Sequence, residues 1–381
     1  MIYLDNGATS FKKPDMVLRA VTEAMYKTSA NPGRGGHDLS IMAGETVYNA
    51  RESVAKLFNI EKCERIAFCK NTTEALNFGI KGVMSRGSHI ITTSMEHNSV
   101  IRPIKALEKE KGVAYSILSA DENGNIDIEK LEKLIKPETR LFVITHASNV
   151  CGNVYDIRKA AEICRRKNVL FMVDAAQSAG SIEIDANMVD LLAFPGHKGL
   201  MGPMGTGGLY VKEGVRISPI IEGGTGSVSE SLTQPDFFPD ILESGTLNVP
   251  GIAGLGAAAE FIQKIGEEEI GAHEKKLLMR FEERLKNMNG IKIYGNNTRH
   301  NICAMNIEGA DCVEVATRLN DEYGICVRAG LHCAILAHKS LKTETTGSIR
   351  FSFGYFNTLK EADFAADAVY KISKDLQFCQ N

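Results

Sequence analysis

The chain has 381 residues, of which 44% are hydrophobic and 24% are charged, and its formal net charge is −3 at pH 7. This length exceeds one ordinary hydrophobic core, so we expect a globular protein with two packed lobes. The slight negative charge gives no electrostatic basis for binding nucleic acid or an anionic membrane, which leaves a small-molecule enzyme or a protein-binding module.

The N-terminal stretch, Met1 to Asp5, lacks the basic region followed by an apolar region that marks a secretion signal. No apolar run elsewhere approaches the roughly 18 to 20 residues of a membrane span. We therefore expect a cytoplasmic protein that has no membrane partner.

Apolar residues recur at helical spacing over residues 17–25 and again over residues 47–58. The loop between these helices, residues 31–37, is rich in glycine and carries Arg34. Further on, short apolar runs alternate with helix-like stretches, which predicts an α/β domain with a largely parallel sheet. The predicted strands are Ile66–Cys69, Ile90–Thr92, Val113–Leu118, Leu141–Thr145, Val169–Val173 and Val189–Phe194.

The pattern changes beyond a small-residue helix start at Gly251. A charged helix is predicted around Glu267–Lys286, and the strands and helices after it indicate a smaller α+β lobe. The predicted strands of this lobe are Ile291–Tyr294, Ile302–Ile307, Ile325–Arg328 and Ser348–Ser352, and its helices lie near Cys312–Asn320 and Thr358–Lys374.

Polar residues follow the predicted parallel strands, and open α/β sheets bind ligands beyond those strand ends. The strand ending at Phe194 leads into His197, Lys198 and a glycine-rich loop, Gly199 to Gly208. A lysine that forms a Schiff base must be rigidly aimed and partly desolvated, and this placement suits one. Taken alone, a surface lysine after a core strand is the commoner case.

Two other strand ends suggest a bound phosphate and a bound ring. The segment Asn71–Glu74 opens a helix, so its hydroxyls and free backbone N–H groups suit a phosphate, and it equally suits a helix capping box. Asp174 ends the most apolar strand, where a carboxylate needs a positive partner such as a protonated pyridine nitrogen, unless it caps the next helix. Gln177 could then reach a ring oxygen.

Three further residues have a chemical and a structural interpretation. His97 could stack on a flat ring and move protons near neutral pH, although a lone loop histidine is more often merely solvated. Arg350 lies in a predicted strand, where it would grip a substrate carboxylate or form a structural ion pair. Cys333 lies in a loop-like segment beside His332, which suits a nucleophilic thiol, whereas an inert buried cysteine is the usual alternative.

The nine cysteines are odd in number and include no Cys-x-x-Cys pair, which argues against disulfides and zinc.

Taken together, these residues belong to an ordered set of motifs. The set is Leu4-Asp-Asn-Gly-Ala8, Asn71-Thr-Thr-Glu-Ala, Glu96-His-Asn, Ser148-Asn149-Val-Cys-Gly, Asp174-Ala-Ala-Gln, Gly196-His-Lys-Gly, Gly202-Pro, Glu243-Ser-Gly-Thr246 and Arg328-x-Gly-x-His-Cys-Ala. It resembles the class V, fold-type I pyridoxal-phosphate enzymes, and most of all the cysteine desulfurases and selenocysteine lyases of the SufS/CsdB kind. The resemblance runs from Leu4 to Asn357.

The resemblance implies an α/β fold-type I architecture. A large cofactor-binding domain with a mostly parallel seven-stranded sheet would span residues 16–255. Residues 1–15 and 256–381 would form a small α+β domain, with the catalytic-cysteine loop at about residues 328–350.

The resemblance also implies how the cofactor, pyridoxal 5'-phosphate, would be held. Lys198 would carry it covalently, His97 would stack on its ring, Asp174 would pair with the ring nitrogen and Gln177 with the phenolic oxygen. The phosphate would be bound by Thr72, Thr73 and His197, joined by Thr246 from the partner subunit of a homodimer.

The implied substrate is L-cysteine, or L-selenocysteine. Asn149 and Arg350 would hold its carboxylate with Arg34 nearby, and Cys333 would take the sulfur as a persulfide and pass it to an acceptor protein or thiol. Ala334 to Ile349 form a tether of only 16 residues between Cys333 and Arg350, so we expect slow turnover without an acceptor. The alternatives are a selenocysteine lyase, another class V aminotransferase or β-lyase, and a scaffold without catalysis.

Two positions depart from the family pattern. The family has a serine or threonine two residues before the His-Lys pair, where it contacts phosphate, and this chain has Pro195. The family also has a basic pair ahead of Gly-x-His, which is Gly33-Arg34 here and lacks the histidine. We expect one phosphate ligand fewer and an altered fine discrimination between substrates.

Overall fold

The computed structural model describes residues 1–33, 35–286 and 288–379. A short strand, β1 (Ile2–Tyr3), comes first, and seven later strands form one large sheet. These are β2 Ile66–Cys69, β3 His89–Thr93, β4 Ala114–Leu118, β5 Thr139–Thr145, β6 Leu170–Asp174, β7 Leu191–Pro195 and β8 Gly207–Val211.

The order across the large sheet is β2-β8-β7-β6-β5-β3-β4. Strand β8 pairs antiparallel with both β2 and β7, and the remaining pairs are parallel. The mostly parallel seven-stranded sheet is therefore confirmed. The predicted loop Gly199 to Gly208 is shorter than expected, because β8 begins inside it at Gly207 and closes the gap between β2 and β7.

Apolar side chains alternate between the two faces of the large sheet. Leu141 and Val143 pack with one buried cluster, whereas Phe142 and Ile144 pack with another on the opposite face. Helices cover both faces, as a parallel sheet requires. They are α1 Asp15–Lys27, α2 Asp38–Leu57, α3 Thr72–Val83, α4 Asn98–Lys111, α5 Leu131–Leu134, α6 Ile157–Lys167 and α7 Val249–Ile265.

The C-terminal part forms a smaller α+β lobe, as predicted. Its antiparallel sheet has the order β12-β13-β10-β9, and β1 pairs in parallel with β11 beside it. The elements are α8 Glu267–Leu285, β9 Ile291–Tyr294, β10 Ile302–Ile307, α9 Cys312–Tyr323, β11 Ile325–Cys326, β12 Arg328–Gly330, α10 Ile335–Ser340, β13 Ser348–Ser352 and α11 Leu359–Cys379. The predicted strand Ile325–Arg328 is thus two short strands, and α10 was not expected.

Helix α7 runs across the expected domain boundary at residue 255. It packs closely on α2, because a Cβ at Gly256 would lie 2.7 Å from the Cα of Ala50. Leu255, Ala259 and Ile262 belong to the same buried cluster as α2. The division at residue 255 remains a prediction. Within the three described ranges, no helix combines the length and the apolar character needed to cross a membrane.

Candidate active site

A cavity of about 230 Å³ lies at the carboxyl ends of the parallel strands, as the strand-end rule predicts. Most of the residues predicted for the site meet there. Its lining includes Thr72, Thr73, His97, Asn149, Asp174, Gln177, His197, Lys198 and Arg350. The parallel strands bring these side chains together from positions far apart in the chain.

Lys198 enters this cavity from the segment that follows β7 and is not a surface lysine. Burial lowers the pKa of its amine to about 8, and Arg350 acts in the same direction. The His197 carbonyl, which belongs to the peptide bond before Lys198, accepts hydrogen bonds from Thr9, Ser10 and Lys13 at 3.0 to 3.2 Å. The backbone that carries Lys198 is therefore held firmly.

Asp174 is the last residue of β6 and is only 2% exposed. Its Oδ1 accepts a hydrogen bond from the Ala176 N–H at 2.9 Å, so the carboxylate caps a turn and not a helix. Burial raises its pKa to about 6, and Lys198 opposes this rise. A buried carboxylate of this kind gains most from a cation placed against it.

The phosphate and capping interpretations of Asn71–Glu74 are compatible. The Asn71 side chain caps the helix by accepting from the Glu74 N–H at 3.0 Å. The Glu74 carboxylate reaches back to the N–H of Lys70, the residue before the cap, at 2.7 Å, so the arrangement is close to a capping box but shifted by one residue. Thr72 and Thr73 still line the cavity at the N-terminus of α3. An anion is favoured there by the helix dipole.

His97 caps α4 through its Nδ1, which accepts from the Ser99 N–H at 3.1 Å. Burial lowers its pKa to about 4, and Lys198 and Arg328 add to this effect. The imidazole is therefore neutral near pH 7. A neutral imidazole suits stacking on a ring, and the proton transfer expected of His97 remains a prediction.

Arg350 lies in β13 with 1% of its surface exposed. Its Nη1 donates to the Asn149 carbonyl at 2.9 Å and its Nη2 donates to Asp5 Oδ1 at 2.8 Å. Arg350 therefore forms a structural ion pair with Asp5, and its guanidinium lines the cavity as well. The Asn149 amide donates to the His332 carbonyl at 2.7 Å, so this residue holds the cysteine loop as well.

Cys333 is exposed and not an inert buried cysteine. His332 and Cys333 both have positive φ angles, 46° and 57°, which few side chains adopt and which often mark functional sites. Cys333 Sγ accepts a hydrogen bond from Arg328 Nη2 at 3.4 Å, and Arg328 lines the cavity. The thiol therefore lies at the rim of the lysine cavity.

Sequence reasoning assigned no role to Arg328 or Asp5. Both stand in motifs that were noted, but their partners are set by long-range contacts. Ser99 was missed entirely, and its hydroxyl bonds both Thr73 Oγ1 and His97 Nδ1 at 2.8 Å.

Three predicted positions are not tested by this cavity. Thr246 lines a different pocket with Phe68 and Asn248, and its role was assigned to a partner subunit, so it remains a prediction. Pro195 ends β7, where it pairs with Gly207. Arg34 lies outside the described residues.

A family model described as Aminotransferase class-V matches residues 2–364. The chain belongs to this family. A probable cysteine desulfurase of Methanothermobacter thermautotrophicus is 38% identical over 98% of this chain and 94% of that protein. The apo structure of a cysteine desulfurase from Thermococcus onnurineus NA1 has a TM-score of 0.92 at 35% identity, covering 98% of this chain and 95% of that one. The cysteine desulfurase CsdA from Escherichia coli, as its S-sulfonic acid, has a TM-score of 0.88 at 29% identity, covering 98% and 94%. The resemblance inferred from the motifs is confirmed.

Class-V aminotransferases depend on pyridoxal phosphate, and the described residues fit this cofactor. Asp174 is buried with a raised pKa, and Lys198 has a lowered one, as a ring-nitrogen partner and a Schiff-base lysine should. His197 Nδ1 and Arg350 Nε are buried and have no hydrogen-bond partner among the described residues. Buried groups left in this state indicate that a polar ligand belongs in the cavity.

Proposed function

We propose that this chain is a pyridoxal-phosphate-dependent cysteine desulfurase, which converts L-cysteine to L-alanine and retains the sulfur on Cys333. The observation that carries the proposal is the exposed Cys333 thiol, which contacts Arg328 at the rim of the cavity that contains Lys198. The names of the relatives, cysteine desulfurase or probable cysteine desulfurase, support the same activity.

We assign the cofactor to the residues of the cavity. Lys198 would hold it covalently, Asp174 would pair with its ring nitrogen, His97 would stack on its ring and Gln177 would contact its phenolic oxygen. The phosphate would meet three residues that line the cavity, Thr72, Thr73 and His197. Bound there, the cofactor would supply an electron sink for the α-carbon of an amino acid.

Lys198 would also act as the base for the α-proton. Its pKa of about 8 keeps an appreciable fraction of the amine neutral at weakly alkaline pH, so that Nζ can accept a proton. Arg350 would bind the substrate carboxylate through its unpartnered Nε, which is the pairing that a guanidinium favours. Asn149, which contacts Arg350 and lines the same cavity, would assist, and we include Arg34 as a candidate near the substrate.

Sulfur transfer would be the task of Cys333. Its thiolate sulfur would bond to the sulfur of L-cysteine, and the bond between that sulfur and the substrate β-carbon would break. The β-carbon would keep the electron pair of the broken bond and take up a proton, so the products would be L-alanine and a persulfide on Cys333, with no external oxidant or reductant. Arg328 Nη2 would stabilise the anionic sulfur.

The cysteine loop is tightly anchored, which supports slow release of sulfur. The Cys333 carbonyl accepts from the Asn98 N–H at 2.8 Å, and His332 Nε2 lies 3.0 Å from the Ser348 carbonyl. A thiol held this close to the cavity cannot swing far outward. We therefore propose that an acceptor protein or thiol must approach the site to remove the sulfur.

We propose that the enzyme works as a cytoplasmic homodimer. In a single copy, Thr246 lines a different pocket from Lys198, so a phosphate contact by Thr246 requires a second copy. Exposed apolar side chains on α1 and α2, including Leu18, Met25 and Ile41, offer a surface for such a partner. Measuring the molar mass in solution tests this part of the proposal.

The activity is tested by measuring alanine and sulfide released from L-cysteine and L-selenocysteine, with and without a reducing thiol. We expect alanine from L-cysteine, faster release with the thiol, loss of activity in Cys333→Ala and full activity in a matched control, Cys63→Ala. Full alanine production from L-cysteine by Cys333→Ala would contradict the persulfide route. Turnover of L-selenocysteine alone would identify a selenocysteine lyase, and no visible cofactor band in the wild-type protein would indicate a scaffold.

A further inference from the structure

The Arg350 guanidinium, which we assign to the substrate carboxylate, already has an anion beside it. Its Nη2 lies 2.8 Å from Asp5 Oδ1, and its Nη1 donates to the Asn149 carbonyl at 2.9 Å. Its Nε is buried and has no partner among the described residues. The side chain lines the lysine cavity, so this free edge is where a carboxylate can bind.

Asp5 is held in place by its backbone and cannot easily swing away. Asp5 forms a parallel bridge with Ser352, whose N–H donates to the Leu4 carbonyl at 2.7 Å. The Asp5 carbonyl accepts from the Tyr3 hydroxyl at 3.2 Å. The carboxylate is therefore anchored at its Cα beside Arg350, and its own contact is the 2.8 Å pair with Nη2.

Gly7, two residues further along the same segment, also packs on the guanidinium. A Cβ at Gly7 would lie 3.3 Å from Arg350 Cζ, so the backbone packs directly on the guanidinium. The Gly7 N–H donates to Ser352 Oγ at 2.8 Å, and its carbonyl accepts from the Gln177 amide at 3.0 Å. Arg350 is thus fixed by contacts that do not involve the Asp5 charge.

We propose that Asp5 is a positioning residue that sets the affinity for the amino-acid carboxylate by partly neutralising Arg350. This inference rests on the proposed function. Two carboxylates that share one guanidinium repel each other, and screening by water is limited because the Arg350 side chain is 1% exposed and that of Asp5 is 20% exposed. The Asp5 charge therefore weakens the grip on the ligand carboxylate while it stabilises the buried cation.

A moderate grip is useful in this reaction because substrate and product carry the same carboxylate. The carboxylate takes no part in bond breaking, so stronger binding at Arg350 would stabilise L-cysteine, the transition state and L-alanine alike, and such uniform binding does not speed the chemical step. It would also slow the departure of L-alanine. Asp5 keeps this shared contribution small.

The test compares two ligands that differ only in the carboxylate, L-cysteine and cysteamine. Their dissociation constants are measured by the change in the cofactor spectrum of the holoenzyme, in a Cys333→Ala background so that L-cysteine is not consumed. Asp5→Asn keeps a hydrogen-bond acceptor and removes the charge, and we expect L-cysteine to bind about fivefold more tightly. Cysteamine binding should change by less than about twofold, because cysteamine has no carboxylate to be repelled.

Asp15→Asn is the matched control, because it removes the same charge from an exposed position at the start of α1. The melting temperature of each cofactor-free variant checks that it folds. Asp5→Glu keeps the negative charge beside Arg350 on a longer side chain, so the tighter L-cysteine binding expected of Asp5→Asn should be absent and cysteamine binding should stay unchanged. If Asp5→Asn does not fold, this second variant decides.

Equal shifts for both ligands, or no shift for L-cysteine in a folded variant, would overturn the proposal and leave Asp5 with a structural role only. The binding measurement does not need sulfur transfer. A failure of the desulfurase proposal would appear as absent alanine in the wild-type protein, and is therefore distinguishable from a failure of the Asp5 proposal.

Discussion

A buried ion pair fixes the segment that leads to Thr246. Arg51 of α2 pairs with Glu243 through two contacts, Nη1 to Oε1 at 2.6 Å and Nη2 to Oε2 at 3.0 Å, and the two side chains are 6% and 5% exposed. Glu243 Oε1 also accepts from the Phe68 N–H of β2 at 2.6 Å. Glu243 thus joins α2 and β2 to the Glu243–Thr246 segment.

Glu243→Gln leaves the Arg51 guanidinium buried without a counter-charge. Breaking one side of such a pair costs about 3 to 5 kcal/mol. At about 2.1 cal/mol/K of unfolding entropy per residue, this corresponds to a fall of about 5 °C in the melting temperature of a chain of this length. Replacing both residues by methionine should recover most of the loss, because no charge is then left buried.

Differential scanning calorimetry of the cofactor-free protein measures these shifts. The control is Lys62→Met, which breaks a 2.7 Å pair with Glu213 whose side chains are 46% and 70% exposed, and which should cost about 1 kcal/mol or less. A Glu243→Gln variant that melts within a degree of the wild type, or a double methionine variant that melts lower than Glu243→Gln, would show that this pair does not stabilise the fold as a buried ion pair.

Three further predictions follow from the site. In Asp174→Asn the cofactor loses its anionic partner, and we expect its affinity to fall by about tenfold or more in a titration of the apoprotein. Burial raises the pKa of Asp174 from 3.8 to about 6, so protonated Asp174 contributes fully to the stability of the cofactor-free wild type below pH 3.8, and this contribution is lost as the pH rises through 6. Cofactor-free Asp174→Asn should not show this fall in stability with pH. Burial raises the pKa of Glu96 from 4.5 to about 8, so the wild type should lose stability as the pH rises between these values while Glu96→Gln does not. The melting temperature of Glu96→Gln should therefore rise relative to that of the wild type, and a difference in melting temperature that does not change with pH would contradict the raised pKa. Arg328→Gln should slow formation of the persulfide about tenfold, whereas the exposed control Arg102→Gln should not, as measured by quenched-flow detection of alanine.

The sequence predicted the large sheet well because its parallel strands are buried on both sides and read as continuous apolar runs. Strand β8 was missed because it begins with two glycines, Gly207 and Gly208, in a segment that looks like a loop. It becomes a strand through pairing on both edges with β2 and β7. Strand formation here depends on tertiary pairing, which the local β-propensity of the segment does not predict.

The part of the site that could be predicted consists of residues at the ends of parallel strands, because these strand ends meet at one edge of the sheet. Lys198, Asp174 and Thr72 come together for that reason. The pairing of Asp5 with Arg350 spans 345 positions in the chain and has no local signal. The neutral state of His97 was not predictable either, because it depends on how deeply the imidazole is buried.

Cys333 is proposed to take the sulfur of L-cysteine. The decisive measurement is a single-turnover reaction in which the holoenzyme is in excess over L-cysteine and no reducing thiol is present. The protein is then digested and its peptides are analysed by mass spectrometry. We expect one alanine for each sulfur atom added, and the added sulfur should be on the peptide that contains Cys333. Alanine formed without added sulfur on that peptide, or formed at the full rate by Cys333→Ala, would rule out Cys333 as the sulfur acceptor.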